Sequence, residues 1–173
     1  MNLRSRIVVR VVLILGALLL ACFIGASGSM LISLKQHLLS GSIIHVQQSG
    51  VDLPPLWRID KSQHRAKGLH LGRATFGTYE MQHLIIDFDV DGNSSSAEDW
   101  QSATLQKHPE SSNGAHYKGE VIPTQHYIFY CVERDEVELS PVDLTCKAGR
   151  WNVVYYGGPE YLSEVRSILS SLQ

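Results

Sequence analysis

The sequence predicts an α+β fold, in which an N-terminal transmembrane helix precedes a mainly antiparallel sheet flanked by two helices. Three observations carry that expectation. Residues 11–34 hold no charged side chain. Downstream, apolar and polar residues alternate with a period of two in several short runs, and the C-terminal segment repeats its apolar positions at helical spacing.

At about 1.5 Å per residue the uncharged run can cross a hydrocarbon core about 30 Å thick. Arg4, Arg6 and Arg10 stand before it, which orients the chain with its N-terminus inside and Gly41 onward outside. The expected organisation is a basic cytoplasmic segment over 1–10, an anchor over 11–34, a linker over 35–56 and an extracytoplasmic α+β domain over 57–173. That implies a single-pass protein of the inner (cytoplasmic) membrane, with its domain in the periplasm or outside the cell. Two alternatives stay open. The run Val11 to Ile24, followed by Gly25, Ala26, Ser27 and Gly28, also reads as a signal peptide whose cleavage would release a secreted domain. Leu19, Leu20, Ala21 and Cys22 resemble a bacterial lipoprotein box, which implies lipidation of Cys22, although Phe23 is bulky where small or polar residues usually follow. No polar face is read at helical spacing, so a buried core helix fits poorly.

Charge divides unevenly. Residues 1–40 hold four of the 15 Lys and Arg and none of the 17 Asp and Glu, which leaves the remainder at a formal −6. An acidic domain without a basic cluster repels phosphate backbones, so nucleic acid is excluded as a partner. The length left after the anchor suits one core. Its two cysteines, Cys131 and Cys146, form an even pair that an oxidising compartment would join.

Helix is expected to continue through 30–39 and to break at Ser40, Gly41 and Ser42. Residues 47–56 read as loop, since Pro54 and Pro55 exclude helix, with Leu56, Trp57 and Ile59 opening an extended segment. Between Gly68 and Val90 lie two strands joined by a turn near Gly77. Ser96 caps a helix from Ala97 to about Lys107, with Glu98 and Asp99 placed to favour its dipole, and His108 and Pro109 end it. Strands follow at 117–122, 126–133, 137–146 and 151–156, the last after a turn at 147–149. Gly158, Pro159 and Glu160 open a final helix whose Leu162, Val165, Leu169 and Leu172 form an apolar stripe.

The sharpest chemical motif is Asp87, Asp89, Asp91, Gly92 and Glu98, which fits the calcium-loop template D-x-D-x-D-G-x5-E, with Asn93 offering a carbonyl. Calcium takes hard oxygen ligands, and this spacing lets one tight loop turn several carboxylates inward. Ser94 stands where such loops carry an apolar residue, and the preceding segment reads as strand. The plainer reading is a strand closed by an Asp91-Gly92 turn. In a eukaryotic host Asn93-Ser94-Ser95 would also be a glycosylation acceptor. Eight histidines include no pair at the i, i+4 spacing of a zinc helix. Neither G-x-S-x-G nor S-x-x-K occurs in the domain, so an enzyme is disfavoured. Tyr127, Phe129, Tyr130, Tyr155 and Tyr156 are candidate contact residues, with 127 and 129 on one strand face and 130 on the other.

The expected function is therefore a membrane-anchored extracytoplasmic interaction module, such as an inhibitor, an immunity factor or an envelope assembly factor. Its partners are membrane lipid through residues 11–34 and another envelope or secreted protein. No cofactor is required, and calcium is the one candidate ion. A calcium-binding or calcium-stabilised domain is the alternative, and an envelope hydrolase built on a His and Ser pair ranks third.

Overall fold

The computed structural model describes residues 3–46, 49–60, 68–75, 82–88, 96–108, 115–136 and 141–173. These form an α+β fold with a mainly antiparallel sheet. Helix α1 (Leu3–Ser40) leads into a hairpin, β1 (Ile43–Val46) with β2 (Ser49–Asp52). A seven-stranded sheet follows, built from β3 (Trp57–Ile59), β4 (Gly68–Arg73), β5 (Gln82–Phe88), β6 (Ala115–Pro123), β7 (Ile128–Glu136), β8 (Val142–Ala148) and β9 (Trp151–Gly157). Its order is β3-β4-β5-β9-β8-β7-β6, and every described neighbour pair is antiparallel. Helix α2 (Ala97–Lys107) connects β5 to β6, and a single 3-10 turn (Pro159–Tyr161) leads into α3 (Leu162–Ser170).

Alternation decides which face each strand buries. In β8, Val142, Leu144, Cys146 and Ala148 are buried, whereas Asp143, Thr145 and Lys147 point the other way. Trp151, Val153 and Tyr155 of β9 continue that inner face, as do Leu84 and Ile86 of β5 and Leu71 of β4. Across it lies α3, with Leu162, Val165, Ile168, Leu169 and Leu172 all buried. Each such side chain contributes roughly 1.5–3 kcal/mol before the entropy of ordering is counted. Ile168 joins the stripe expected from spacing.

Two charged residues flank Val165 and tie α3 to opposite ends of the sheet. Glu164 takes a forked pair of hydrogen bonds from Arg73 of β4, at 2.7 and 2.8 Å. Arg166, two positions on and so across the helix, pairs with Glu120 of β6 at 2.8 Å and Glu133 of β7 at 3.1 Å.

The outer face carries α2 over β6 and β7. Ser96 caps it as expected, accepting from Asp99 N at 3.0 Å. None of its residues is buried. Its grip comes from Gln101, whose amide donates to the carbonyls of Glu120 and Cys131, and from Leu105, which lies so close over Gly119 that a Cβ there would sit 2.8 Å from it.

One expectation is corrected. Of residues 47–56, expected as loop, 49–52 form β2, paired in a hairpin with β1 over 43–46, and Val51 and Leu53 enter the core at 0% and 2% exposure. The chain end locks it: Gln173 N–H donates to Gly50 O, and Asp52 N–H to Ser171 Oγ. Two four-residue strands, one of them containing Ser49 and Gly50, offer too little alternation to be seen in sequence. The expected turns near Gly77 and at Asp91-Gly92, and the loop 110–114, lie outside the described residues.

Cys131 and Cys146 stand directly opposite each other on β7 and β8 and are disulfide-bonded. Replacing both with Ala should lower the unfolding free energy of the full chain in detergent by about 3 kcal/mol, the chain-entropy value for a loop of this length. Urea denaturation of the variant beside the parent checks this.

Candidate functional site

The geometry offers three places to look: the seam between α1 and the domain, the polar cluster at one end of the inner face, and the open part of the outer face.

At the seam, α1 presents a polar stripe that sequence reading missed. Ser29, Ser33, Gln36 and His37 recur at i, i+4, i+7 and i+8, the spacing of one helical face. All four bond to the domain. Ser29 Oγ donates to Thr75 O (3.1 Å), Ser33 Oγ to Pro55 O (2.9 Å), His37 Nε2 to Trp57 O (2.9 Å), and Gln36 Oε1 accepts from Ile59 N–H (3.3 Å). The expectation that no polar face exists is thus corrected for this half of the helix. The signal was present, but it covers only four positions within a long apolar run. Upstream, Ser27 Oγ donates to Phe23 O at 2.6 Å, a bond back to the preceding turn of the kind that bends helices. The segments Val12–Gly25 and Ser27–Ser40 diverge by 53°. No single described helix is long and apolar enough to cross a membrane by itself, whereas this bent pair together meets the length and composition required. Gly41, at φ 76°, ends the helix by donating to His37 O.

The polar cluster centres on Glu164. Besides Arg73 it accepts from the Trp57 indole N–H at 2.6 Å, and the Arg73 guanidinium lies 3.9 Å from the centroid of the Tyr161 ring. Hydrogen bonding from Arg73, joined by Trp57, holds the Glu164 carboxyl below its ordinary range despite partial burial. Nearby, burial pushes the Tyr155 hydroxyl well above the usual phenol range, so it stays protonated and donates to Gly158 O at 2.7 Å. Gln82 Oε1 accepts from Gly158 N–H, and a side chain at Gly157 would collide with both Gln82 and Tyr155. Every member is engaged with another, so the cluster reads as a structural clamp.

The outer face is different. Beyond α2, along β5, β9 and β8, Val154 and Tyr156 are exposed at 39% and 51%. Register places Val154 between Ile85 and Thr145, and Tyr156 between His83 and Asp143, which pairs with Arg134 at 3.5 Å. Of the expected contact residues, Phe129 and Tyr155 are fully buried and so leave the surface. Tyr127 packs against Phe129 and Trp151, and Tyr130 sets its hydroxyl 3.5 Å from Glu98. Tyr156 alone among the five is well exposed.

The calcium motif is only partly visible, because Asp89, Asp91 and Asn93 lie outside the described residues. Asp87 lies against Gly68 of β4, while Glu98 faces Tyr130 of β7, so the two described ends are aimed at different strands. Among the described residues no three His, Cys, Asp or Glu gather as a metal site. His108 stacks on Tyr117 with ring centroids 4.5 Å apart, His116 and His126 are exposed, His70 is buried, and His64 lies outside the described residues. Cys22 is free and exposed on α1.

No protein-family model matches the chain, and no curated protein matches it either.

Replacing Glu164 with Gln should cost about 2 kcal/mol, since it leaves Arg73 without its charge partner. A depressed carboxyl contributes stability above its unfolded pKa of about 4.3 and loses it as pH falls through the folded value. The gap between variant and parent should therefore narrow below about pH 4, as read from thermal melts across an acid series.

Proposed function

We propose that the protein is a membrane-anchored extracytoplasmic interaction module, tethered through α1, whose outer sheet face binds another envelope or secreted protein. The observation that carries this reading is the pair Val154 and Tyr156. They stand exposed on a central strand whose other face is the heart of the core, so the surface that would receive a partner is rigid and preorganised. An exposed tyrosine beside aliphatic residues, with the Asp143–Arg134 ion pair at its side, has the make-up of an interface centre. The domain's net negative charge favours a basic partner surface by steering. Inhibition or immunity against a secreted toxin, and assembly of an envelope complex, are both roles of this kind.

What supports anchorage is the exposed apolar arm Val12–Gly25, preceded by arginines, together with the disulfide, which requires an oxidising compartment. A chain retained in membranes at its full 19.3 kDa would separate this reading from signal cleavage and from lipidation at Cys22.

Val154→Glu or Tyr156→Glu should reduce recovery of a stoichiometric partner from the native envelope about tenfold, which corresponds to ~1.4 kcal/mol. The melting temperature should stay within a degree or so, because neither side chain enters the core. Unchanged recovery in both variants would remove this face from the reading.

The second reading, a calcium-stabilised loop over residues 87–98, rests on the spacing of its carboxylates. Saturation at about 100 times the dissociation constant would add about 2.7 kcal/mol and raise the melting temperature. Melts in millimolar calcium and in chelator give superimposable curves if Asp87 and Glu98 serve only a turn and a helix terminus.

A further inference from the structure

The C-terminal arm of α1 is amphipathic the wrong way round for water. Its polar stripe, Ser29, Ser33, Gln36 and His37, faces the domain. Its apolar residues face outward: Leu31, Leu34 and Leu38, at i, i+3 and i+7, are exposed at 54%, 49% and 76%, with Ile32 and Leu39 beside them at 56% and 75%. A soluble protein that buried its serines and exposed its leucines would gain nothing from the hydrophobic effect at that helix.

Building on the anchorage proposed above, we infer that this arm lies along the outer surface of the bilayer, its leucines sunk into the lipid interface, and that the crossing is made by the first arm together with the helical residues 7–11 that precede it. Shared chemistry along one helix supports lipid as the occupant, since exposed apolar side chains from Val12 to Ile24 are followed, after residues 25–30, by exposed Leu31, Ile32, Leu34, Leu38 and Leu39 on the same helix. Lys35 is exposed among the leucines, where its ammonium can reach headgroup phosphates while its stem stays in the acyl boundary.

The latch also sets the depth. Ser29 and Ser33 touch Thr75, Pro55 and Trp57 of the domain, whose strand cannot enter hydrocarbon with its polar backbone and neighbours. The span must therefore end near Ala26, which moves it from 11–34 toward the N-terminus. Residues 7–26, about 20 in number, cover about 30 Å. That register brings Arg4 and Arg6 to the inner boundary and Arg10 within a turn of it. Cys22 then stands about 6 Å inside the outer boundary, whereas a span over 11–34 would place it at the midplane. The 53° bend turns the second arm from the crossing direction toward the membrane plane.

The test uses the full chain in vesicles of phosphatidylcholine with one quarter phosphatidylglycerol. An environment-sensitive fluorophore is attached either at native Cys22 or, in a Cys22→Ser background, through Leu38→Cys or Ser33→Cys. Lipids carrying a quencher near the headgroup or at the acyl terminus report depth. The expected result is that labels at 22 and 38 are quenched about twofold more by the shallow quencher than by the deep one, as interfacial placement requires. The label at 33 should be quenched by neither, being shielded by the domain. Stronger deep quenching at Cys22 overturns the register. A label at 38 quenched by aqueous iodide overturns interfacial placement, and one shielded from iodide and from both lipids indicates a protein neighbour, such as a second copy, which overturns it equally. If the chain does not co-float with vesicles at all, the anchorage reading itself fails, and flotation reports that separately.

Discussion

The carboxylate of Glu164 is where the separate parts of the protein meet. Through Arg73 it holds β4 to α3, and through the Trp57 indole it holds β3 as well. The carbonyl of that same Trp57 accepts from His37 and, at 3.2 Å, from Ser33 on α1. A single residue thus links the N-terminal helix, the edge of the sheet and the C-terminal helix. The pairing can afford its partial burial because Arg73 meets it in the forked geometry that suits a guanidinium and a carboxylate. Arg166 repeats the arrangement at the far edge with the charges reversed. Between the two, α3 has little freedom to slide or roll over the apolar face.

This arrangement explains why the two faces of the sheet differ in role. The inner face is closed by α3 and the β1-β2 hairpin and contains the disulfide, so its residues are committed to stability. The outer face is only partly roofed, by a helix that buries none of its own residues and relies on Gln101, Leu105 and a capped N-terminus. On that open part β9 leaves Val154 and Tyr156 exposed, which is where the proposed partner would sit.

Much of the architecture was legible in the sequence because strong local signals agreed with the tertiary outcome. Ser96 with Glu98 and Asp99 marked α2, the stripe from Leu162 to Leu172 marked α3, and the alternation in VDLTCKA and WNVVYYG marked β8 and β9. What escaped depends on partners remote in the chain. The hairpin is held by contacts with the C-terminus, across more than a hundred positions. Arg73 and Glu164 lie 91 residues apart and look like ordinary surface charges until the fold joins them. Tyr155 and Tyr156 are adjacent in sequence and opposite in fate, which follows from strand register and from no property of tyrosine.

The two edges of the sheet are also unlike. Along β3 the serines, the glutamine and the histidine of α1 occupy main-chain groups of the edge and the loop beside it, whereas β6 has no outer neighbour among the described residues. Within the seven-stranded sheet, the serine, glutamine and histidine side chains of α1 thus do for β3 what a neighbouring strand does elsewhere, capping outward main-chain groups that an unpaired edge would leave to another chain.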